Sequence, residues 1–460
     1  MSALAAFLRR ERFLLTIFAV AFALRLAVTL PAVLAGGAAE AFSRPDTPGY
    51  LQPALALADS GEYLDGPGGA PSVTRAPGFP FFAAAVLRCS GGSFGALAVV
   101  LALVNAAAVL PIGWGTRRLF GAGPSLAAAG VTALHLTAVA QGPMFLSDSL
   151  FFLCAAVQFW CFALFYTTKR AGYFPLTMFT AAVGALIRPI NVAWVWPALF
   201  LVAVFPGAQW RWKWRCAISG ALVFFGVLLP WQLRNASLGA GMCIDVNTGA
   251  MYHQNGAMLL AAANGTEYET EKQRILAELE TTFRDAARFP DEKSRVDYRL
   301  KRFAELIRQH PLLWISQHFR WEALLPDVPT FCEVLGVTRS DRGTLNVLRS
   351  RGIFAAADHY FDGRYWILLP LLPLLACVGL LYLGAAGMLV CWIRNVRRDW
   401  YWILLFLAFA EYYFFLPGPI TVPRYQLPAL PMLAAMAGEF CRRAAKSGCF
   451  QRFHAGRDLK

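Results

Sequence analysis

The chain has 460 residues, of which 57% are hydrophobic and 15% are charged, and its formal net charge is +14. Because a soluble globular domain carries about 25% charged residues, this composition excludes an ordinary soluble protein and predicts many membrane spans. The positive charge lies in short clusters between apolar runs rather than in a stripe shared with aromatic residues, so it predicts a membrane topology and no nucleic-acid partner.

The apolar runs predict about ten membrane crossings, since a spanning helix needs about 20 mainly apolar residues. The predicted crossings are 13–35, 94–116, 125–139, 145–166, 173–187, 189–205, 216–233, 365–392, 400–416 and 421–440. The positive-inside rule then puts both termini and every basic cluster in the cytoplasm. The clusters are Arg9, Arg10 and Arg12; Arg117 and Arg118; Lys169 and Arg170; Arg211, Lys213 and Arg215; Arg394, Arg397 and Arg398; and Arg442, Arg443 and Lys446.

This topology divides the chain into three parts. We expect an N-terminal transmembrane catalytic module in 1–234, an outward domain in 235–364, and C-terminal transmembrane helices with a cytoplasmic tail in 365–460. The middle part carries most of the acids, and 271–288 and 294–308 have apolar residues at helical spacing. The predicted fold class is an all-α polytopic membrane protein with a small, mainly helical outward-facing domain.

The first polar interruption is the outer loop 36–80, which follows the first crossing. Non-helical backbone beside a membrane must satisfy its own polar groups, so we expect this loop to be packed and to line a cavity. Within it, 48–60 place apolar side chains on one helical face, and Gly61 is a natural stop. Residues 79–87 are too short to cross and predict an interfacial helix. Asp46, near the start of the loop, is the predicted chemical centre.

Three ionisable side chains fall within crossings or close to their ends, where a charge costs roughly 2.5 kcal/mol or more on insertion scales. Arg25 either has a function or pairs inside the bundle. Asp148 lies near the outer end of the fourth crossing, on the same face as Asp46, so it either assists the chemistry or caps its helix. Glu411 is predicted to be the buried partner of a basic residue.

Arginines on the outward side form a second set, each beside a proline or the end of a crossing. They are Arg44, Arg75, Arg188, Arg234 and Arg424. The planar guanidinium fork suits phosphate oxygens, so convergent arginines opposite carboxylates predict a site for a phosphate leaving group. The alternative is that each is an ordinary interfacial arginine.

Two reactive motifs of soluble enzymes are missing from this sequence. It contains no HExxH and no phosphate-binding P-loop, and its six histidines are scattered, so no metal site is predicted. Cys243 and Cys332 both fall in the outward domain, where a disulfide between them is an open alternative.

Six motifs occur in an order that is typical of one family. They are RPDTPGYLQPALALADSGEYL with TRAPGFPFF, WGTRRLFG, FLSDSLFF, LIRPINVAW, LLPWQLRN with NTGAMYHQNG, and VPRYQLPALPML. Together they resemble the GT-C class of polytopic glycosyltransferases, especially the protein mannosyltransferase and aminoarabinose transferase superfamily (glycosyltransferase family 39-like). One departure is the single Asp46 where some members carry an adjacent Asp-Glu pair, so no cofactor is assigned and a divalent cation stays an open alternative.

The resemblance implies transfer of a sugar from a polyprenyl-phosphate donor to a hydroxyl of a glycan, lipid or protein acceptor. This reaction would occur at the periplasmic face of a bacterial inner membrane. Asp46 would be the general base of an inverting displacement, and Asp148 would orient the acceptor or tune Asp46. The remaining implied site residues are Arg75, Arg188, Arg424 and Arg234 at the donor phosphate, and Tyr50, Glu62 and Tyr425 at the acceptor or loop.

Two rival functions remain open at the sequence level. A flippase or other transporter of lipid-linked sugar would typically show inverted repeats and broken helices at the midplane, and no such repeat is visible. An O-antigen ligase or polymerase would be expected to use a large outer loop rather than an acid in the first one.

Overall fold

A computed structural model describes residues 3–319, 321–338 and 343–446 of the chain. Across these residues the backbone forms helices joined by loops, with one isolated antiparallel bridge between Leu64 and Pro71. Five helical segments are long and apolar enough to cross a membrane, and shorter apolar helices accompany them. The predicted all-α polytopic fold class is confirmed, while the predicted tail at 447–460 lies outside the described residues.

The helices fall into two sets, before and after position 240. The first set is α1 (Ala3–Leu34), α2 (Ala38–Ala41), α3 (Thr47–Ser60), α4 (Gly78–Cys89), α5 (Phe94–Ala107), α6 (Val109–Phe120), α7 (Ala122–Ala133), α8 (Leu136–Gln141), α9 (Asp148–Thr168), α10 (Tyr173–Ile187), α11 (Val195–Ala203) and α12 (Trp210–Ser237). The second set is α13 (Ala257–Asn264), α14 (Tyr268–Thr282), α15 (Glu292–Gln309), α16 (Pro311–Ser316), α17 (Val328–Val334), α18 (Thr344–Phe361), α19 (Leu368–Arg394), α20 (Val396–Phe406), α21 (Tyr412–Phe415) and α22 (Leu430–Lys446).

Contacts between distant segments define two ends of the bundle. At the first, which we call the basic end, Arg117 at the end of α6 donates to Glu11 near the start of α1 at 2.9 Å. At the other, which we call the loop end, the backbone N–H of Val246, after α12, donates to the carbonyl of Val73 at 3.0 Å.

Several crossings are broken where the sequence predicted continuous helices. The second is divided at Ala108 between α5 and α6, and the third is divided at Leu134 and His135 between α7 and α8. The fourth begins at Asp148 rather than at 145, and residues 145–147 form an irregular turn before it. The break before Asp148 gives the loop end irregular backbone, on which polar side chains can be placed.

Part of the region 235–364, between positions 251 and 314, forms a small helical core of its own. Side chains of α14 and α15 share this core with Tyr252 and Leu259. The helix predicted at 271–288 ends at Thr282 instead, since Phe283 turns to pack its ring 5.0 Å from that of Phe289.

Arg25 is fully buried and pairs within the bundle. Its Nε donates to Asn105 Oδ1 at 2.8 Å, and its Nη1 donates to the carbonyls of Ala21 and Ala133. These bonds tie α1 to α5 and α7, so the structure supports the second of the two interpretations of this residue, a role inside the bundle.

The prediction that Glu411 has a basic partner is wrong within the described residues. Glu411 ends the π-helical turn Leu407–Glu411 and is half-buried, with no ion pair to a described basic residue. The arginines that flank it along the chain are already paired, Arg398 with Asp399 and Arg424 with Asp46.

Cys243 and Cys332 are both free thiols in this structure. Cys243 donates to the carbonyl of Ala240 at 3.3 Å, close to the end of α12. Cys332 is buried in α17, in the apolar core that also contains residues of the first loop and α4. The two side chains therefore belong to different packing environments.

We predict that Gly438→Ala destabilises the bundle. A Cβ at Gly438 would lie 2.4 Å from the carbonyl oxygen of Pro124, where α22 packs against α7, so the helices would have to separate. Overpacking of this kind costs about 1–3 kcal/mol. The thermal midpoint of the purified protein should fall, whereas the control Gly130→Ala, which meets no atom within 4 Å, should leave it unchanged or raise it slightly. Equal midpoints for the two variants would contradict this packing.

Candidate functional site

The carboxylate of Asp46 stands at the loop end, directly before α3. It occupies the helix N-cap position but makes no capping hydrogen bond, so its oxygens point elsewhere. Oδ2 accepts from Arg424 Nη2 at 2.8 Å, and Oδ1 lies 3.5 Å from Arg75 Nη2. The turn is anchored by the hydroxyl of Thr47, which donates to the carbonyl of Phe145 at 3.2 Å. With 46% of its side chain exposed, Asp46 remains open to a ligand.

Arg424 joins this acid to a second one. It lies in the 3-10 turn Pro423–Ala429, and its Nε is 3.8 Å from Asp148 Oδ2. Asp148 is 4% exposed and accepts from Arg188 Nη1 through its other oxygen. Asp148 is the first residue of α9, whose N-cap position is occupied by Ser147, so the pairing with arginines, rather than helix capping, accounts for its position.

Aromatic rings support the other two arginines. The guanidinium of Arg75 lies 4.6 Å from the ring centre of Tyr50, and that of Arg188 lies 4.9 Å from the ring centre of Tyr425. Such cation–π contacts stabilise an arginine in a fixed orientation. Gly49 makes room for one of them, because a Cβ there would lie 2.8 Å from Arg75 Nε.

The cluster combines three arginines with two carboxylates that contact them. Arg75, Arg188 and Arg424 carry three positive charges, while Asp46 and Asp148 carry two negative ones. Arg424 Nε has no hydrogen-bond partner among the described residues. A partly open group of guanidinium donors with unused capacity suits an anion with several oxygens, such as a phosphate.

Arg234, predicted at the donor phosphate, is used to hold the loop instead. It donates to the carbonyl of Ser72 at 2.5 Å and to that of Tyr63 at 3.3 Å. Its guanidinium also lies 4.6 Å from the ring centre of Trp231. These contacts fasten residues 63–72 to the end of α12 and keep Arg234 out of the Asp46 cluster.

Arg44 and Glu62 also lie outside the cluster. Arg44 is 3.5 Å from Glu333, and it donates to backbone carbonyls of its own turn. Glu62 is exposed just after α3 ends, and its backbone N–H donates to Ser60 Oγ at 3.2 Å. Neither contact reaches Asp46 or Asp148.

Sequence reasoning missed Asp245, a third acid, which interacts electrostatically with Arg75. Only 4% of it is exposed, and its Oδ1 has no hydrogen-bond partner among the described residues. Burial raises its pKa from an ordinary value near 3.8 to about 6, although the charge of Arg75 and hydrogen bonds from Thr248 oppose the shift. The backbone hydrogen bond from Val246 to Val73 holds this segment against the first loop, which carries Arg75. Nothing in the local sequence around Asp245 predicts that contact.

We predict that Asp245→Asn stabilises the protein above pH 6. Because the folded-state pKa is raised, the charged carboxylate costs on the order of 3 kcal/mol above that pH, and the cost disappears as the pH falls towards 3.8. Asparagine has the same shape without the charge. The thermal midpoint of the variant should exceed that of the wild type at pH 8, and the difference should shrink steadily towards pH 4. A difference that is independent of pH would contradict the burial argument.

The described residues contain no group of three or more His, Cys, Asp or Glu side chains placed to hold a metal ion. The carboxylates of Asp46 and Asp148 are instead separated by Arg424, which pairs with both.

Comparisons with known proteins agree with this architecture. Residues 74–233 match the family described as dolichyl-phosphate-mannose-protein mannosyltransferase. The fold is similar to that of the archaeal oligosaccharyltransferase AglB from Archaeoglobus fulgidus, solved with an inhibitory peptide and a dolichol-phosphate, at 13% identity and a TM-score of 0.51. A second structure of the Archaeoglobus fulgidus oligosaccharyltransferase, tethered to an acceptor peptide containing the NVT sequon, gives 14% identity and a TM-score of 0.50.

These matches cover 97% and 99% of this chain but only 52% and 51% of the two solved chains, so the protein spans about half the length of its structural neighbours. Among curated proteins, none matches the sequence. The family match begins within the first loop, at Thr74, and ends within α12, so it includes Arg75, Asp148 and Arg188. The resemblance predicted from the motifs is confirmed: residues 74–233 match the protein mannosyltransferase family, and the polytopic fold is similar to that of the archaeal oligosaccharyltransferase.

Proposed function

We propose that this protein is a membrane glycosyltransferase that moves a sugar from a polyprenyl-phosphate donor to an acceptor hydroxyl, with inversion. The observation that carries the proposal is a half-exposed Asp46 carboxylate held between two arginines at the loop end. In such a transfer, a carboxylate can accept the proton that the acceptor loses, and a neighbouring guanidinium can stabilise the charge on the departing phosphate.

The arginine cluster would bind the phosphate that links the sugar to its lipid. Arg424 Nε has no hydrogen-bond partner in the described structure, and three guanidinium groups converge on the two acids of the cluster. The donor class is also supported by the neighbouring archaeal enzyme, which was solved with a lipid phosphate bound. As the bond to the sugar breaks, charge grows on the leaving phosphate, and arginines already held in place stabilise it without further reorganisation.

Asp46 would act as the general base. Its Oδ2 is used by Arg424, but Oδ1 is 3.5 Å from Arg75 and therefore keeps capacity to accept a proton. The acceptor oxygen attacks the anomeric carbon and forms the new glycosidic bond, its proton passes to Asp46, and the polyprenyl phosphate leaves with the electron pair of the broken bond. A single displacement of this kind inverts the configuration.

Asp148 would position the arginines rather than touch the acceptor. At 4% exposure it is too buried to meet a sugar hydroxyl directly, and its oxygens face Arg188 and Arg424. Tyr50 and Tyr425 would assist by supporting Arg75 and Arg188 through their rings. This assignment gives each acid of the pair a different task.

The positive charges favour an orientation with the loop end outside the cell. Arg117, Arg118, Lys169 and Arg170 lie at the basic end, opposite the Asp46 cluster, and basic residues between spans prefer the cytoplasm. We therefore propose that the active site faces the periplasm from a bacterial inner membrane, where the acceptor would be a glycan, lipid or protein.

Asp46→Asn should abolish transfer. Losing a positioned base typically costs about 10²–10⁴-fold in rate, and asparagine keeps the size of the side chain. The measurement is release of polyprenyl phosphate by mass spectrometry, using membranes that contain the protein and a panel of polyprenyl-phosphate hexoses and pentoses. The control is Asp59→Asn, which removes an exposed acid from the same helix, α3, and should leave the rate unchanged.

Two outcomes would overturn the proposal. Release that continues at the wild-type rate in Asp46→Asn would exclude this base. Movement of lipid-linked sugar across the membrane that survives the substitution, with no release of polyprenyl phosphate by the wild type, would assign the protein to the transporters instead.

Arg424→Lys should also impair transfer although it preserves the charge. Lysine is a point charge on a flexible stem and cannot place one nitrogen on Asp46 while another faces Asp148. We expect kcat/KM for the donor to fall about tenfold or more, as for loss of a charge-assisted hydrogen bond. The control Arg397→Lys alters an exposed arginine at the basic end and should have wild-type kinetics. Unchanged kinetics in Arg424→Lys would show that charge alone suffices.

A further inference from the structure

A second polar site lies at the basic end, across the bundle from the Asp46 cluster. A cavity of about 570 Å³ opens there beside the start of α1, the end of α6 and the second half of α9. It is lined by Arg10, Trp114, Arg117, Arg118, Trp160 and Leu164.

The charges around this cavity are only partly neutralised. The buried Glu11 accepts from Arg117 through both Nη atoms at 2.9 Å and from Arg10 Nε at 2.8 Å. Arg118 is exposed and makes no ion pair or hydrogen bond with the part of the chain that the structure describes. Three arginines against one carboxylate leave two positive charges, and Glu11 holds Arg117 in a fixed orientation at the cavity wall.

The same cavity has an apolar wall. The rings of Trp114 and Trp160 lie 5.0 Å apart, and Leu164 lies one helical turn beyond Trp160 along α9. Trp114 Nε1 donates to Glu11 at 3.2 Å, so its polar edge is satisfied while its ring faces the cavity. Tryptophan is enriched where a membrane protein crosses from lipid to water, which is the level that the basic end occupies.

We propose that this cavity binds the anionic phosphate headgroup of a membrane lipid, with an acyl chain along the tryptophan and leucine wall. Basic pockets between spans on the cytoplasmic side are suited to such headgroups, because guanidinium groups pair with phosphate oxygens. A free phosphate ion would pair with the same arginines but would gain nothing from packing against the apolar wall. The site is independent of the proposed transfer reaction, since none of its residues contacts the Asp46 cluster.

The test is native mass spectrometry of the full-length protein in a neutral detergent. The protein is titrated separately with dioleoyl phosphatidylglycerol, with dioleoyl phosphatidylcholine and with sodium phosphate. We expect one phosphatidylglycerol to remain bound at concentrations at which phosphatidylcholine is lost. Inorganic phosphate in equal amount should leave that lipid in place, and its displacement of the lipid would assign the site to the free anion and overturn the proposal.

Two variants of the cavity and one matched control complete the design. Arg118→Gln should weaken phosphatidylglycerol binding about tenfold, as for loss of a hydrogen bond between charged groups. Leu164→Trp should block the cavity by filling it while retaining every arginine. Arg397→Gln removes the same charge from the basic end outside the cavity and should bind like the wild type.

The comparison separates a built site from general surface charge. Equal weakening by Arg118→Gln and Arg397→Gln, or full binding by a folded Leu164→Trp, would contradict the proposal. Intrinsic tryptophan fluorescence on heating shows whether each variant is folded, and Leu164→Trp provides an independent result if Arg118→Gln is not.

Discussion

One guanidinium group, that of Arg424, holds the loop end together by facing two carboxylates from parts of the chain that are far apart. It donates to Asp46 at 2.8 Å and lies 3.8 Å from Asp148, so the first loop, α9 and the turn before α22 meet at a single side chain. Removing one partner of a buried ion pair typically costs about 3–5 kcal/mol, because the remaining charge is left uncompensated. Asp148, at 4% exposure, depends on such compensation.

The three acids around this arginine cluster differ in exposure, and the buried acids therefore have a different role from the exposed one. Asp148 and Asp245 are buried on two sides, where they hold or face arginines, whereas Asp46 is half exposed. Buried carboxylates and the rings of Tyr50 and Tyr425 fix the guanidinium groups before any ligand arrives. Groups that are already oriented stabilise developing charge more effectively than groups that must reorganise.

The sidedness of the fold and part of the site could be predicted from the sequence, because alternating crossings place every second loop at the same end. That rule is enough to bring Asp46 and Arg424 to one end, although 378 positions separate them. It does not determine which arginine turns inward. Arg234 donates to two backbone carbonyls of the first loop instead of joining the cluster. Asp245 interacts with Arg75 because a backbone hydrogen bond joins its segment to the distant first loop. Such contacts depend on tertiary packing and leave no local pattern.

The geometry of α9 separates the two proposed anion-binding regions of the bundle. Asp148 is its first residue, while Trp160 and Leu164 border the cavity at the basic end. At 1.5 Å per residue these two lie roughly 18–24 Å further along the helix axis, a large part of the hydrocarbon thickness of about 30 Å. One lipid headgroup therefore cannot occupy both regions. A lipid bound at the basic end would lie in the opposite leaflet from a donor at Asp46. It would therefore be a stably bound structural lipid rather than a donor on its way to the reaction.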